Sequence, residues 1–234
     1  MTTKSWHRFY DYNVPHTIRY PHFPAQRIFQ LTAGSHPNKA CTSFYGTEMT
    51  FWQVREQVLR LANALAARGL KKGDRIGLHL PNCPQFIVSY LAALHLGAIV
   101  VNVNPLYTPT ELKFIIESTS MQTLVTFDMA LPNVREVTKE TQLKNVIVTK
   151  ITDYINGLGV STAKSLDLEE GWLHFSELIE NCKDTRPPRV PVGPADPAMI
   201  QFTGGTTGFP KGALLTHGNL VAATLQAGLW ASPG

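Results

Sequence analysis

The chain has 234 residues, of which 44% are hydrophobic and 16% are charged, a composition typical of a soluble globular α/β protein. Its net charge of +4 comes without a basic run or a basic helix face, which argues against a nucleic-acid-binding protein. Three widely spaced cysteines without a C-x-x-C pair indicate a reducing compartment and no zinc site. With no apolar leader at the N-terminus, we expect a cytoplasmic protein. Peripheral contact with a membrane stays open.

The first 49 residues are predicted to form an N-terminal arm and a hairpin. Aromatic residues and prolines alternate over residues 1–24, which indicates an extended segment that lies on the body of the protein. A short helix is expected over Ala25–Ala33, with Gly34 at its end. A hairpin is expected over Ala40–Thr50, with its turn at Gly46.

Residues 50–185 are predicted to form a unit of alternating strands and helices. Thr50 and Gln53 match a capping box at the start of the first long helix, Asn82 is expected to cap the second helix, and Thr108 the third. Strands are predicted at 75–80, 98–103, 123–127 and 145–149, and helices at 50–69, 85–96, 109–118, 131–141 and 172–182. This alternation predicts right-handed βαβ crossovers and a mostly parallel sheet with helices on both faces.

Residues 186–234 are predicted to begin a second subdomain. A proline-rich connector over 186–197 leads to a strand that ends at Phe202. A loop rich in glycine and threonine follows, then a strand at 213–216 and a helix at 219–230. The loop is the stretch of the chain that carries the most chemical information.

The loop sequence Thr203 to Gly212 reads TGGTTGFPKG and predicts an anion-binding site. Its glycines let the backbone turn several N–H groups towards one point, where side chains would block phosphate oxygens. Lys211 adds a mobile positive charge, and the hydroxyls of Thr203, Thr206 and Thr207 add donors or a metal ligand. The alternative is a hairpin loop without a ligand.

The loop differs from the Walker motif and resembles another phosphate-binding loop. Phe209 stands where the Walker pattern needs glycine, and a strand follows where that pattern needs a helix. The ten residues match without a gap the loop of the adenylate-forming enzymes, [ST]-[SG]-G-[ST]-[ST]-G-x-P-K-G. Many members of the superfamily have serine at the second position of this loop. This chain has Gly204 there, which matches the fatty-acid branch.

Other segments resemble the bacterial long-chain fatty acid CoA ligases within this superfamily, which also contains the acyl-CoA synthetases. They are Val100–Pro109, the LKKGDR stretch at 70–75, and Leu215–His217 after the loop. The resemblance implies an α/β fold corresponding to the N-terminal part of the large adenylate-forming domain. It also implies a two-step reaction, in which a carboxylate attacks ATP to give an acyl-adenylate and pyrophosphate, and the thiol of coenzyme A then displaces AMP.

The resemblance also assigns roles to individual residues. Lys211 and Thr206 are expected to act in catalysis, Lys211 by offsetting charge on the leaving pyrophosphate. Thr203 is expected to lie near Mg²⁺. Nucleotide contacts are expected from Thr203, Gly204, Gly205, Thr206, Thr207, Gly208, Lys211 and His217. The implied partners are a fatty acid, ATP and CoA, with a homodimer of the full-length enzyme left open.

Members of this superfamily are more than twice as long as this chain. The motifs for ribose binding and the mobile C-terminal domain with its lysine are not found here, so we expect that domain to be absent and the chain to be inactive alone. The residues that complete the Mg²⁺ and CoA sites would then be missing from this chain.

Several alternatives stay open. His217 is more simply a hydrogen-bonded structural residue, Asn104 and Tyr107 more simply end a strand, and His79 and His95 are expected to be core histidines. An aryl- or aminoacyl-adenylating enzyme shares the same loop. A non-catalytic binding or regulatory fragment is the third hypothesis.

Overall fold

The computed structural model describes residues 4–155, 166–203 and 210–231. The strands are β1 Ala40–Phe44, β2 Thr47–Thr50, β3 Arg75–Leu78, β4 Ile99–Asn102, β5 Thr123–Phe127, β6 Asn145–Thr149, β7 Leu173–His174, β8 Pro197–Thr203 and β9 Lys211–Thr216. The α-helices are α1 Gln26–Ser35, α2 Phe51–Ala67, α3 Pro84–His95, α4 Pro109–Thr119, α5 Leu131–Thr138, α6 Phe175–Asn181 and α7 His217–Ala231. Short 3₁₀ turns cover Ser5–Phe9, Asp128–Ala130 and Ile151–Tyr154.

The main sheet has seven strands in the order β7-β6-β5-β3-β4-β8-β9. All neighbouring strands run parallel except β8 and β9, which form an antiparallel pair. Strands β1 and β2 form a separate antiparallel hairpin. The mostly parallel α/β fold predicted from the alternating pattern is therefore confirmed. Because β8 pairs with β4, the segment after residue 186 extends the same sheet rather than starting another.

The core lies between the parallel strands and the helices that cover them. Strand β5 is buried along its whole length, as a central strand with both faces covered should be. Helix α3 is also buried over most of its surface, which agrees with its nearly continuous apolar sequence. The apolar run from Phe86 to Val101 is thus a buried helix followed by a buried strand. In the described ranges, every helix falls short of the length and apolar character that crossing a bilayer requires.

Two capping boxes form as predicted. The Gln53 N–H donates to Thr50 Oγ1 at 3.3 Å, and the Thr50 N–H donates to Gln53 Oε1 at 2.8 Å. The same exchange between Thr108 and Glu111 starts α4. Each pair satisfies two N–H groups that the first turn of a helix leaves without partners.

The predicted cap of α3 is wrong. The helix begins at Pro84, so Cys83 is the N-cap and Asn82 lies one residue too early. Gln85 is fully buried, and its Nε2 donates to Thr149 Oγ1 at 3.3 Å and to the Lys150 carbonyl at 2.8 Å. The side chain therefore connects the first turn of α3 to the end of β6.

Several other elements differ from the sequence prediction in extent, and strand β9 begins at Lys211 rather than at residue 213. The predicted helix at 172–182 begins with the short strand β7, which adds to the edge of the sheet beside β6. The last helix begins at His217, two residues earlier than predicted, because Thr216 and Asn219 exchange hydrogen bonds at its start. The predicted extended arm contains the 3₁₀ turn Ser5–Phe9.

Candidate functional site

The two ends of the predicted phosphate loop meet at the carboxyl edge of the sheet. Strand β8 runs parallel to β4 and ends at Thr203, and β9 returns from Lys211. The loop after β4, which contains Asn104 and Tyr107, leaves the sheet at the same edge. Ligands of open α/β sheets bind at the carboxyl ends of the strands, so the candidate site lies where this class of fold places sites.

Thr203 and Lys211 lie directly opposite each other in the β8–β9 ladder. Thr203 Oγ1 donates to the Lys211 carbonyl at 3.4 Å, and both residues are exposed. Directly opposed residues of an antiparallel pair project from the same face, so the side chains of Thr203 and Lys211 leave the sheet together at the mouth of the loop. The predicted site residues Gly204, Gly205, Thr206, Thr207 and Gly208 lie outside the described residues, so their roles stay predictions.

Gly212 is required by the packing of the opposite strand. A Cβ at this position would lie 2.9 Å from Ile200 Cγ2 and 3.2 Å from the Phe202 ring. Real Cβ atoms do not approach carbon atoms that closely, so a larger residue would push β9 away from β8. Gly212 thus lets the strand that carries Lys211 lie tightly against the strand that carries Thr203.

A polar pair that the sequence analysis did not single out lies near the carboxyl ends of β4 and β8. Asn102 on β4 and Gln201 on β8 are partners in the parallel ladder, and Asn102 Nδ2 donates to Gln201 Oε1 at 3.0 Å. Gln201 Nε2 also donates to the Phe202 carbonyl at 3.2 Å. The only local signal was an amide side chain near the end of each otherwise apolar strand. This pair links β4 to β8 just before the loop begins.

His217 lies at the far end of the β8–β9 hairpin from the loop. Thr216 pairs with Pro197, so the six residues of β9, about 20 Å of extended chain, separate His217 from the loop end of the hairpin. Its Nδ1 accepts the Ala25 N–H at 3.2 Å, and burial lowers its pKa to about 4. This geometry favours the structural alternative, and a nucleotide contact by His217 finds no support in it.

The other two candidate residues, Asn104 and Tyr107, make structural contacts. Asn104 Oδ1 accepts the Leu106 N–H at 3.0 Å, which shapes the turn after β4, and the Tyr107 carbonyl accepts a hydrogen bond from Asn133 at 3.3 Å. The turn contact supports the structural alternative for Asn104, and the packing of the partly buried Tyr107 side chain against the core supports it for Tyr107. They leave a ligand contact untested.

The two core histidines are hydrogen-bonded as expected. His95 Nδ1 donates to the Leu91 carbonyl at 2.8 Å, so its Nε2 accepts from Gln30 at 3.0 Å. His79 Nδ1 lies 3.1 Å from Thr126 Oγ1, and burial lowers the pKa of His79 to about 4. Both side chains are therefore neutral parts of the core at neutral pH.

The part of the chain described here holds no cluster of three or more His, Cys, Asp or Glu side chains that could bind a metal ion. A hydroxyl oxygen such as Thr203 Oγ1 suits Mg²⁺, which is commonly bound by one or two protein oxygens together with substrate phosphates and water. The donor set at the loop mouth therefore fits a magnesium ion that arrives with a polyphosphate.

Comparison with known proteins agrees with this arrangement. The family model described as AMP-binding enzyme matches residues 29–233. The long-chain-fatty-acid–CoA ligase of Bacillus subtilis is 33% identical over 238 residues, which cover 97% of this chain and 42% of the relative. The solved long-chain-fatty-acid-CoA ligase of Archaeoglobus fulgidus is 27% identical with a TM-score of 0.76, covering 94% of this chain and 42% of that one.

A solved anthranilate CoA ligase in complex with anthranoyl-AMP is 25% identical with a TM-score of 0.76, over 89% of this chain and 37% of the other. The chain thus spans less than half the length of these relatives. The family match, by contrast, covers most of this chain and includes both ends of the loop. The chain belongs to the family of AMP-binding enzymes.

Proposed function

We propose that the protein to which this chain belongs is an AMP-forming acid–thiol ligase that activates a carboxylic acid with ATP. The carboxylate oxygen bonds to the α-phosphorus of ATP and pyrophosphate leaves, which gives an acyl-adenylate. The thiol of CoA then bonds to the acyl carbon and AMP leaves. The observation that carries this proposal is the meeting of Thr203 and Lys211 at the ends of the glycine-rich loop, at the carboxyl edge of the sheet.

Each residue at the loop mouth has a defined task in the first step. The Lys211 ammonium group would offset the negative charge that builds on the leaving pyrophosphate. The hydroxyls and N–H groups of the loop, including Thr206 and Thr207, would hold the β- and γ-phosphates. Thr203 would place one oxygen on Mg²⁺, which supplies charge neutralisation of the phosphates when it is bound.

The acid that we propose is a long-chain fatty acid. Support comes from the similarity to the Bacillus and Archaeoglobus ligases, which covers nearly all of this chain. An aromatic acid is the second candidate, because the anthranilate CoA ligase has an equally similar fold.

ATP binding and turnover are measured separately. In the first experiment, the 234-residue chain is acetylated with and without Mg-ATP, and modification of Lys211 is compared with that of the exposed Lys183 by mass spectrometry. We expect Mg-ATP to protect Lys211 and to leave Lys183 unprotected. Equal modification of Lys211 in both conditions would contradict a phosphate site at the loop.

In the second experiment, pyrophosphate release is measured with a panel of fatty, aryl and amino acids, for the chain alone and for the full-length protein. We expect no turnover by the chain alone and turnover with fatty acids by the full-length protein. Lys211→Gln should lower kcat of the full-length protein by about 10²- to 10³-fold, the range for loss of one group that stabilises developing charge. Preference for an aryl acid would instead indicate an aryl-adenylating enzyme. ATP binding without turnover by the full-length protein would favour the non-catalytic hypothesis.

A further inference from the structure

A second polar cavity opens at the amino edge of the main sheet, the edge opposite to the loop. It has a volume of about 300 Å³ and is lined mainly by polar side chains. The residues that carry the argument are Arg68, Asp74, Arg75, Ser120, Gln122 and Lys144. They lie in, or at the end of, the three connections that lead from α2 to β3, from α4 to β5 and from α5 to β6, so three connections converge on one small space.

Arg75 is fixed at the cavity by backbone carbonyls. Its Nε donates to the Thr119 carbonyl at 2.8 Å, its Nη2 to the Ser120 carbonyl at 3.1 Å and its Nη1 to the Gly73 carbonyl at 3.2 Å. The carbonyls at the end of α4, which would repel an anion, are thus already neutralised by hydrogen bonds to a cation. The guanidinium group keeps further N–H groups for a ligand, because it has five donors.

Two other basic side chains at the cavity, unlike Arg75, are not held by hydrogen bonds to backbone carbonyls. The exposed side chains of Arg68 and Lys144 make no hydrogen bond or ion pair to any residue that the structure describes. The end of α2 does not need Arg68, because the N–H groups of Gly69 and Leu70 bond its last carbonyls at 3.0 and 3.1 Å. Structural roles at helix ends therefore account for Arg75 and leave Arg68 and Lys144 unexplained.

Asp74 is the one carboxylate among the residues that line the cavity, and it does not cancel the positive charge of Arg68, Arg75 and Lys144. Asp74 Oδ2 accepts the Lys71 N–H at 2.8 Å and shapes the turn before β3. Three cations and one carboxylate leave an excess of two positive charges around the cavity. Ser120 and Gln122 add neutral donors, so a ligand here meets mostly N–H and O–H groups.

We propose that this cavity binds a small multivalent oxyanion of the phosphate or polycarboxylate type. Arg75 offers a fixed guanidinium group, and Arg68, at the end of α2, and Lys144, just before β6, supply the other two positive charges for the anion. The volume lies at the small end of the range of about 300–1,000 Å³ for small-molecule sites, which suits an anion of this size. The site does not depend on the proposed ligase activity, because the loop leaves the opposite edge of the sheet.

The first test compares thermal unfolding in inorganic phosphate, in citrate, and in sodium chloride of equal ionic strength. We expect one or both multivalent anions to raise the melting temperature of the protein at low-millimolar concentration, because a ligand that binds only the folded state stabilises it. The double variant Arg68→Gln/Lys144→Gln should keep the melting temperature measured in chloride and lose the increase. The matched variant Lys183→Gln/Arg189→Gln, with the same change of charge at two exposed positions away from the cavity, should retain it.

Two further measurements separate this site from the loop. Lys211→Gln should retain the stabilisation by phosphate, and phosphate should slow acetylation of Lys144 several-fold without affecting Lys183. Loss of the stabilisation in Lys211→Gln would assign the anion to the loop and overturn the proposal. Equal stabilisation of the double variant and the parent protein, or none by either anion, would also overturn it.

Discussion

Lys72 and Asp196 form an ion pair that joins the turn before β3 to the connector before β8, with 2.7 Å between Nζ and Oδ2. Lys72 also donates to the Pro191 carbonyl at 2.8 Å, and the Gly193 N–H donates to Asp196 Oδ2 at 2.8 Å. Gly97 lies against this contact with φ of +64°, and a Cβ there would be 3.0 Å from Lys72 Cγ. The connector is therefore held at several points before it enters β8, the strand that leads to the loop.

Replacing Lys72 with methionine should destabilise the protein modestly. Both partners are partly exposed, so we expect a loss of about 0.5 to 1 kcal/mol in the free energy of unfolding, measured by urea denaturation. Lys71→Met, at a neighbouring exposed position, is the matched control and should have a smaller effect. An effect of Lys72→Met no larger than that of Lys71→Met would show that the pair does not hold the connector.

The pH dependence of this contact has a defined sign. Hydrogen bonds from the Gly193 N–H and from Lys72 lower the pKa of Asp196. A carboxylate with a lowered pKa in the folded state stabilises the protein above its unfolded pKa, and this contribution is lost as the pH falls through the folded pKa. The difference in stability between Lys72→Met and the parent protein should therefore shrink in acid.

Replacing Gly212 with alanine should destabilise the β8–β9 hairpin. The new Cβ would lie 2.9 Å from Ile200 Cγ2, and Ile200 is β-branched and cannot move aside freely. We expect a loss of about 1 to 3 kcal/mol in the free energy of unfolding. Gly228→Ala is the control, because nothing lies within 4 Å of its Cβ position in α7, and it should be neutral or stabilising by up to about 1 kcal/mol. Equal effects of the two changes would contradict tight packing at Gly212.

Local patterns predicted the starts of helices where the cap and its partner are close in sequence. Thr50 with Gln53 and Thr108 with Glu111 are only three residues apart, so the pattern contains the whole interaction. The prediction that Asn82 caps α3 is wrong because Pro84 takes the first helical position, which makes Cys83 the N-cap. Lys72 and Asp196 are 124 positions apart, and no local pattern could have paired them.

The same limit applies to the candidate site. The loop motif predicted a strand on each side of the loop, but with the second strand beginning at residue 213; β9 begins at Lys211 and pairs it with Thr203. The Asn102–Gln201 contact depends on the parallel pairing of β4 with β8, which only the folded sheet shows. His217 followed the motif in sequence, yet the antiparallel return of β9 carries it to the far end of the hairpin.

Capping energies offer a direct test of the corrected start of α3. Thr50→Ala removes the acceptor for the Gln53 N–H and should cost about 1 kcal/mol in the free energy of unfolding. Asn82→Ala should change it by less than about 0.5 kcal/mol, because Asn82 is exposed and precedes the cap. Chemical denaturation of both variants gives the comparison. A loss of about 1 kcal/mol for Asn82→Ala would show that this residue caps the helix after all.

His217 should make the protein less stable in mild acid. Burial lowers its pKa from 6.5 in the unfolded chain to about 4 in the folded protein, so the unfolded state binds more protons between these values. Stability should therefore fall as the pH decreases from about 6.5 to about 4, by up to about 3 kcal/mol from this group. His79 has a pKa lowered to about 4 by the same cause and should add a similar loss.

His217→Gln isolates the first of these contributions. The glutamine oxygen can still accept the Ala25 N–H that now bonds to His217 Nδ1, but glutamine does not titrate. The free energy of unfolding of this variant, measured by urea denaturation between pH 7 and pH 4.5, should fall less steeply with decreasing pH than that of the parent protein. The exposed His36→Gln is the control for replacing a histidine by glutamine at the surface. Identical slopes for His217→Gln and the parent protein would mean that His217 titrates alike in the folded and unfolded states, which would contradict its burial.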